Sequence, residues 1–324
     1  MDASARPGAV GESRVDIVLA RIMPAFERAA IHVAPAPLVH ALSEFLVFGV
    51  KQAWACLFGG MMLAAILVTG ALWPDDAALA RYDLLFIFAI AVQLAFLCTG
   101  LERPAEASTI LAFHAVGTIM EMFKTAAGSW SYPEANLIRI GGVPLFSGFM
   151  YACVGSYLAR VSRTHDFAFD RYPPRRYTFA LALLIYANFF THHVVPDFRL
   201  ILFAGAGLLF RRTNVSFRVW RRRHSMPLLL GFLLVSLFIW IAENIATFVG
   251  VWHYPEQREA WTPVSLAKLG SWYLLMIISW VLVTLAHAPR IAPLCAATAR
   301  LSLSPAQGHR DGEAGDPPGP GCPR

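Results

Sequence analysis

The chain presents a succession of apolar runs near the length that crosses a lipid bilayer, at about 54–73, 82–100, 107–127, 140–159, 177–195, 199–211, 227–249 and 266–287. A bilayer core of about 30 Å takes about 20 apolar residues of helix. With 57% hydrophobic and only 15% charged residues, against about 25% charged in soluble domains, the expected fold is an all-α integral membrane protein of about eight transmembrane helices. The sixth run is short, so it reads as a tilted companion helix or one that does not fully cross. Residues 38–53 are apolar but carry Glu44, Lys51 and Gln52. They read as an interfacial or partly buried helix leading into the first span.

The net charge of +6 is carried in short segments between the runs, which leaves no basic domain for nucleic acid. One segment holds Arg160, Arg163, Arg171, Arg175 and Arg176, and another holds Arg211, Arg212, Arg218, Arg221, Arg222 and Arg223. Alternate connections hold one arginine apiece: Arg81, Arg139, Arg199 and Arg258. Short connections rich in Lys and Arg stay on the cytoplasmic side, so both termini are expected there. The polar residues before the first run do not read as a cleavable leader, so the spans themselves are expected to direct insertion. The five cysteines (Cys56, Cys98, Cys153, Cys295 and Cys322) form no C-x-x-C pair, so neither a disulfide framework nor a cysteine metal site is expected.

One stretch occurs twice. Glu121-Met-Phe-Lys-Thr-Ala-Ala-Gly-Ser-Trp-Ser-Tyr-Pro-Glu134 and Glu243-Asn-Ile-Ala-Thr-Phe-Val-Gly-Val-Trp-His-Tyr-Pro-Glu256 share Glu, Thr, Gly, Trp, Tyr, Pro and Glu at an offset of 122. The same offset carries 54–73 onto 176–195 and 107–127 onto 229–249, close to apolar runs already identified. The expected organisation is therefore two parallel four-helix repeats, 37–159 and 160–289. A cytoplasmic segment, 1–36, precedes them, and a Pro- and Gly-rich tail, 290–324, follows and is expected to be disordered. Both Trp-x-Tyr-Pro-Glu copies fall on the outer face.

The copies also concentrate the polar residues. His114, Thr118, Glu121 and Thr125 share one helical face, with Lys124 within reach; Ser236, Trp240, Glu243 and Thr247 repeat the stripe, with Asn244 beside it. Ionisable groups inside a membrane are costly and face a bundle interior or a cavity. The catalytic candidates are Glu121, Glu243 and Lys124, with the glutamates as general acid and base. The substrate-binding candidates are Trp130, Tyr132, Glu134, Trp252, Tyr254, Glu256, His114, Asn188, His192 and Asn244. The alternative is packing: a Glu121–Lys124 ion pair, a Glu243–Asn244 hydrogen bond and an interfacial aromatic belt. Gly128 and Gly250 are expected to end their helices. Adjacent His192 and His193 should point to different sides of a helix, so at most one joins a given site. No H-x-x-x-H or H-E-x-x-H spacing occurs, so no metal ligand is assigned and no cofactor is identified.

The runs Glu44-Phe-Leu-Val-Phe-Gly-Val-Lys-Gln-Ala-Trp-Ala-Cys56, Gly128-Ser-Trp-Ser-Tyr-Pro-Glu134 and Gly142-Val-Pro-Leu-Phe-Ser-Gly-Phe-Met-Tyr-Ala-Cys-Val-Gly-Ser-Tyr157 resemble the YoaT-like family of bacterial membrane proteins, domain-of-unknown-function family 817. The resemblance covers roughly 40–290 and implies a bacterial cytoplasmic membrane location but no activity. The order Glu, then Gly-x-Trp-x-Tyr-x-Glu, then a Pro-containing span is similar to membrane carotenoid enzymes of the lycopene-cyclase type, in which acids protonate a polyene. Here Pro263-Val-Ser265 stands where that pattern has Pro-Glu-Glu.

Three functions fit these residues. The first is a membrane enzyme acting on a lipid or isoprenoid, with Lys124 keeping one of two buried carboxylates ionised. The second is a transporter of a small solute with a proton-carrying glutamate. The third is a membrane scaffold in which the repeated stretch only packs. The first two require a hydrophobic or small-molecule ligand as well as the bilayer.

Overall fold

A computed structural model of the chain describes residues 13–74 and 76–286. The 290–324 tail, with Cys295 and Cys322, lies outside the described residues. The element order is α1 (Arg14–Ile31), α2 (Ala36–Ala55), α3 (Leu57–Leu72), α4 (Arg81–Cys98), α5 (Pro104–Ala126), β1 (Arg139–Ile140), β2 (Val143–Pro144), α6 (Phe146–Thr164), β3 (Ala168–Asp170), α7 (Arg175–Thr191), α8 (Arg199–Phe210), β4 (Asn214–Arg218), β5 (Arg223–Pro227), α9 (Leu228–Phe248) and α10 (Leu266–Ala286). Helices α3 to α10 fall on the eight apolar runs. Proline sets several of their starts: Pro104 opens α5, where Glu106 also accepts the Arg103 N–H at 2.9 Å.

Three of these helices, α4, α9 and α10, are long and apolar enough to cross a membrane. The number is four if α2 and α3, bent by 69° at their junction, count as one broken span. That is fewer than the eight crossings expected. α8 has only 12 residues, about 18 Å at ~1.5 Å per residue. α5 is long but carries Glu106, Glu121 and Lys124, and α6 carries Arg160 and Arg163.

The fold is mostly helical rather than all-α. The arginine-rich connections build an antiparallel sheet, β3–β4–β5, with Phe169 opposite Val215 and Val215 opposite Met226. In β4, Val215 and Phe217 alternate with Asn214, Ser216 and Arg218, a period-2 signal in a stretch read as a cationic connection. The 1–36 segment likewise contains α1, whose Val15, Leu19 and Met23 recur every four residues and pack with Val47 and Val219. α2 turns Lys51 inward. Its ammonium, 4% exposed, pairs with Asp16 at 2.8 Å and donates to the Val219 carbonyl at 2.6 Å.

His165, at the end of α6, shares that environment. It is buried, and burial followed by the Lys51 charge pushes its pKa down to about 4, against a smaller raising effect of the Val161 carbonyl and Asp16. An imidazole in the unfolded chain titrates near 6.5. Between those values the unfolded state binds the proton and the folded state does not, so stability falls as pH falls. The loss from this residue is about 3 kcal/mol once pH reaches the folded value. Denaturant titrations from pH 7 to pH 4 should show that slope in the wild type and a shallower one in His165→Gln.

Candidate functional site

The two repeated stretches end their helices in the same way. Gly128 (φ 71°) and Gly250 (φ 70°) adopt the left-handed conformation a side chain disfavours. Just beyond them the Ser129 N–H reaches the Lys124 carbonyl at 2.9 Å, and the Val251 N–H reaches that of Ala246 at 3.1 Å. The loops that follow then pair with each other. Ser131 N–H donates to the His253 carbonyl at 3.0 Å, and His253 N–H returns to Ser131 at 2.9 Å. These two residues are themselves 122 apart, so the copies meet at matched positions.

Each loop sends its tyrosine back to the glutamate of its own helix, and the first sends its tryptophan as well. Glu121, 4% exposed, accepts the Trp130 Nε1–H and the Tyr132 hydroxyl on Oε2, both at 2.7 Å, and the Tyr151 hydroxyl on Oε1 at 2.8 Å. Glu243, also 4% exposed, accepts the Tyr254 hydroxyl on Oε1 and the Trp272 Nε1–H on Oε2, the latter at 2.7 Å. Burial and then the charge of the glutamate each one meets hold the Tyr132 and Tyr254 phenols well above their ordinary range, so both stay protonated donors. Indole and phenol donors match acceptor-only carboxylates. Trp130, Tyr132, Trp252 and Tyr254 share one buried cluster with Val143 and Val251. They are more than an interfacial belt.

Tyr151 on α6 and Trp272 on α10 were not among the expected site residues. The repeat does not signal them as a pair: they lie 30 and 29 residues after Glu121 and Glu243, and the offset of 122 carries Tyr151 onto Tyr273 rather than Trp272. Tyr151 reaches Glu121 across Gly117, where an added Cβ would sit 2.6 Å from the ring.

A cavity of about 280 Å³ opens beside this arrangement, between the ends of α5, α7 and α9 and the starts of α8 and α10. Glu243, Tyr254, Trp130 and Tyr151 line it, with Lys124, Lys268, Arg199 and His192 as its cationic or titratable donors and Ile185, Phe189, Leu274 and Leu275 as apolar wall. Glu121 does not line it. Lys268 lies over the Tyr254 ring at 4.0 Å and over Trp130 at 5.2 Å.

Lys124 does not pair with Glu121, whose oxygens are both occupied by aromatic donors. Its ammonium lies 3.2 Å from His192 Nε2, 3.0 Å from His193 Nε2 and 4.3 Å from the Phe189 ring. Both histidines therefore meet the same group, against the expectation that only one would. α7 ends at Thr191 and His192 is its cap, so helical geometry does not separate them; their rings sit 4.1 Å apart.

The remaining candidates lie elsewhere. Asn188 lines the cavity, but its side chain holds the α7–α8 turn through Asp197 at 3.1 Å and the Phe198 N–H at 3.0 Å. Asn244 turns from Glu243 to the Trp240 carbonyl (2.8 Å) and the Val264 N–H (2.9 Å). Glu134 pairs with Arg81 at 2.8 Å, and Glu256 is exposed. His114 stacks on Phe149 at 4.4 Å, away from the cavity. Among the described residues no group of three or more His, Cys, Asp or Glu is placed to hold a metal ion.

Fold and site define a mostly helical protein with bilayer-length apolar helices and two aromatic-capped buried carboxylates. Residues 44–280 match the family described as "Protein of unknown function (DUF817)", and the chain belongs to it. It is similar to the "Uncharacterized protein YoaT" of Bacillus subtilis (strain 168), with 42% identity over 245 residues, covering 76% of this chain and 92% of the relative. No solved structure matches it.

Proposed function

We propose that the chain is an integral protein of the bacterial cytoplasmic membrane that acts as an enzyme on a lipid or isoprenoid, with Glu243 passing a proton to or from the bound molecule. The observation that carries this reading is a buried carboxylate that both lines a cavity and is fixed by two aromatic donors. A carboxyl in such surroundings suits general acid–base work on an apolar substrate. Glu121, fenced by three donors, positions the first loop and Tyr151 instead. A double-bond protonation of the kind the likeness to carotenoid enzymes implies would run from Glu243.

The wider architecture in this reading is two parallel four-helix halves with both termini cytoplasmic. Shifted by 122, α5 falls at 226–248 beside α9 (Leu228–Phe248), and α6 falls at 268–286 beside α10 (Leu266–Ala286). The Ser131–His253 pairing is what a two-fold relation between halves would produce. The same relation supports a second reading, a proton-coupled solute permease with Glu243 as the proton carrier.

The test is a strain lacking the gene, complemented with wild type or Glu243→Gln. The wild type should restore lipid and pigment species that Glu243→Gln does not, at equal protein level and equal thermal unfolding. An unchanged lipid profile in the deletion, or full restoration by Glu243→Gln, overturns the enzyme reading. Acid-driven solute uptake into proteoliposomes that Glu243→Gln abolishes would establish the permease instead.

A further inference from the structure

We propose that the cavity recognises a phosphate ester on an apolar chain, with Lys124, Lys268 and Arg199 holding the phosphate and the chain running down between α5 and α10. The inference rests on the reading of this cavity as a substrate site and names the chemistry of what enters it.

Lys124, Lys268 and Arg199 all line the cavity beside the buried Glu243 carboxylate. Among the described residues no ion pair between a carboxylate and either Lys124 or Lys268 occurs, whereas Arg199 has Asp197 at 2.9 Å. Lys124 is 3% exposed and spends its donors on two imidazole nitrogens. A cation buried without an acid is costly, and an anion brought by a ligand removes that cost. These lysines also stand where the repeat breaks down. The positions 122 away from Lys124 and Lys268 are Ala246 and Phe146, so packing symmetry does not require either one.

The apolar part of the ligand follows from the floor of the cavity. Tyr151, Trp272 and Leu275 belong both to it and to a narrow crevice lined by Phe113, Val116, Met120, Ile239, Met276 and Leu282. That crevice continues along α5 and α10 with almost no polar lining. A head of high negative charge density fits the cations of the cavity, and a hydrocarbon tail fits its apolar wall of Ile185, Phe189, Leu274 and Leu275; the crevice itself encloses only about 20 Å³, so the tail enters it where α5 and α10 part. A neutral alcohol would leave Lys124 without an acid, and a free anion would leave the apolar wall of Ile185, Phe189, Leu274 and Leu275 unused.

The test uses the purified full chain in micelles of a neutral detergent, read by calorimetry and by the change in intrinsic tryptophan fluorescence, to which Trp130 and Trp272 at the cavity contribute. The probes are farnesyl monophosphate, farnesol and inorganic phosphate. Farnesyl monophosphate should bind at least tenfold more tightly than either of the others. Lys268→Gln and Lys124→Met should each weaken it roughly tenfold or more, the effect of losing a charged hydrogen bond, while Lys124→Arg keeps most of the affinity. Should Lys124→Met fail to fold, Lys268→Gln carries the comparison, since Lys268 is only half-buried. Farnesol binding as tightly as its phosphate, unaffected by the lysine changes, overturns the inference and leaves the enzyme reading standing. Inorganic phosphate binding as tightly as the ester overturns the lipid source in favour of a free anion. Binding of none of the three overturns the inference and the reading of the cavity together.

Discussion

Arg160→Met should lower the unfolding free energy by about 3–5 kcal/mol, and adding Glu102→Leu should recover most of that loss. Arg160 is the largest of the fully buried side chains, 1% exposed. Its Nη2 meets Glu102 Oε1 at 2.9 Å, Nη1 donates to the Trp54 carbonyl at 3.1 Å, and the guanidinium lies 4.9 Å from the Phe96 ring. Glu102 in turn accepts from the Ser156 hydroxyl and the Gln93 amide. Removing only the arginine strands a carboxylate that is itself 3% exposed, and an uncompensated buried charge costs more than the pair contributes. Replacing both partners with apolar side chains removes the desolvation penalty on each. Denaturation in mixed micelles followed by far-UV circular dichroism reads both variants. A single variant with the wild-type midpoint would show that the ion pair is not holding the α4–α5 connection to α6.

That pair also shows where sequence reading reached and where it stopped. Arg160 and Arg163 were counted among the cations of a cytoplasmic connection. Both belong to α6, and Glu102 in the α4–α5 connection and Glu106 in the first turn of α5 pair with them at 2.9 Å each. A charge census treats arginines as solvated, and nothing local distinguishes one that is folded under its neighbours. The helices themselves were legible, because apolar runs of that length and the Pro and Gly at their ends act locally. The glutamate stripes and their returning tyrosines were legible for the same reason, since each glutamate lies eleven positions before the tyrosine that reaches it. Lys268 was not, because it enters from α10, and no spacing along one helix foretells which side chains meet across a bundle. The sheet was missed because its β-period strands are short and sit in segments whose arginines drew the reading towards topology.

The two glutamates, alike in sequence, should respond differently to substitution. Glu121→Leu leaves the Trp130 indole N–H and the Tyr132 and Tyr151 hydroxyls without an acceptor in a buried site. At about 1–3 kcal/mol for each stranded donor, the loss should be on the order of 3 kcal/mol or more. Glu121→Gln should cost within about 1 kcal/mol of wild type, near the net worth of one ordinary hydrogen bond. Its amide oxygen can face Trp130 and Tyr132, while its NH₂ meets Tyr151, whose hydroxyl reverses from donor to acceptor. Hydrogen exchange at the Ser131 and His253 amides reports whether the paired loops survive, and should accelerate in Glu121→Leu alone. If leucine and glutamine variants unfold together, the carboxylate is not what anchors the first loop. Paired with Glu243→Gln, which keeps its fold by the same amide geometry at Trp272 and Tyr254, this comparison separates the copies: one carboxylate whose loss is read in stability, and one whose loss is read in what the cavity can do.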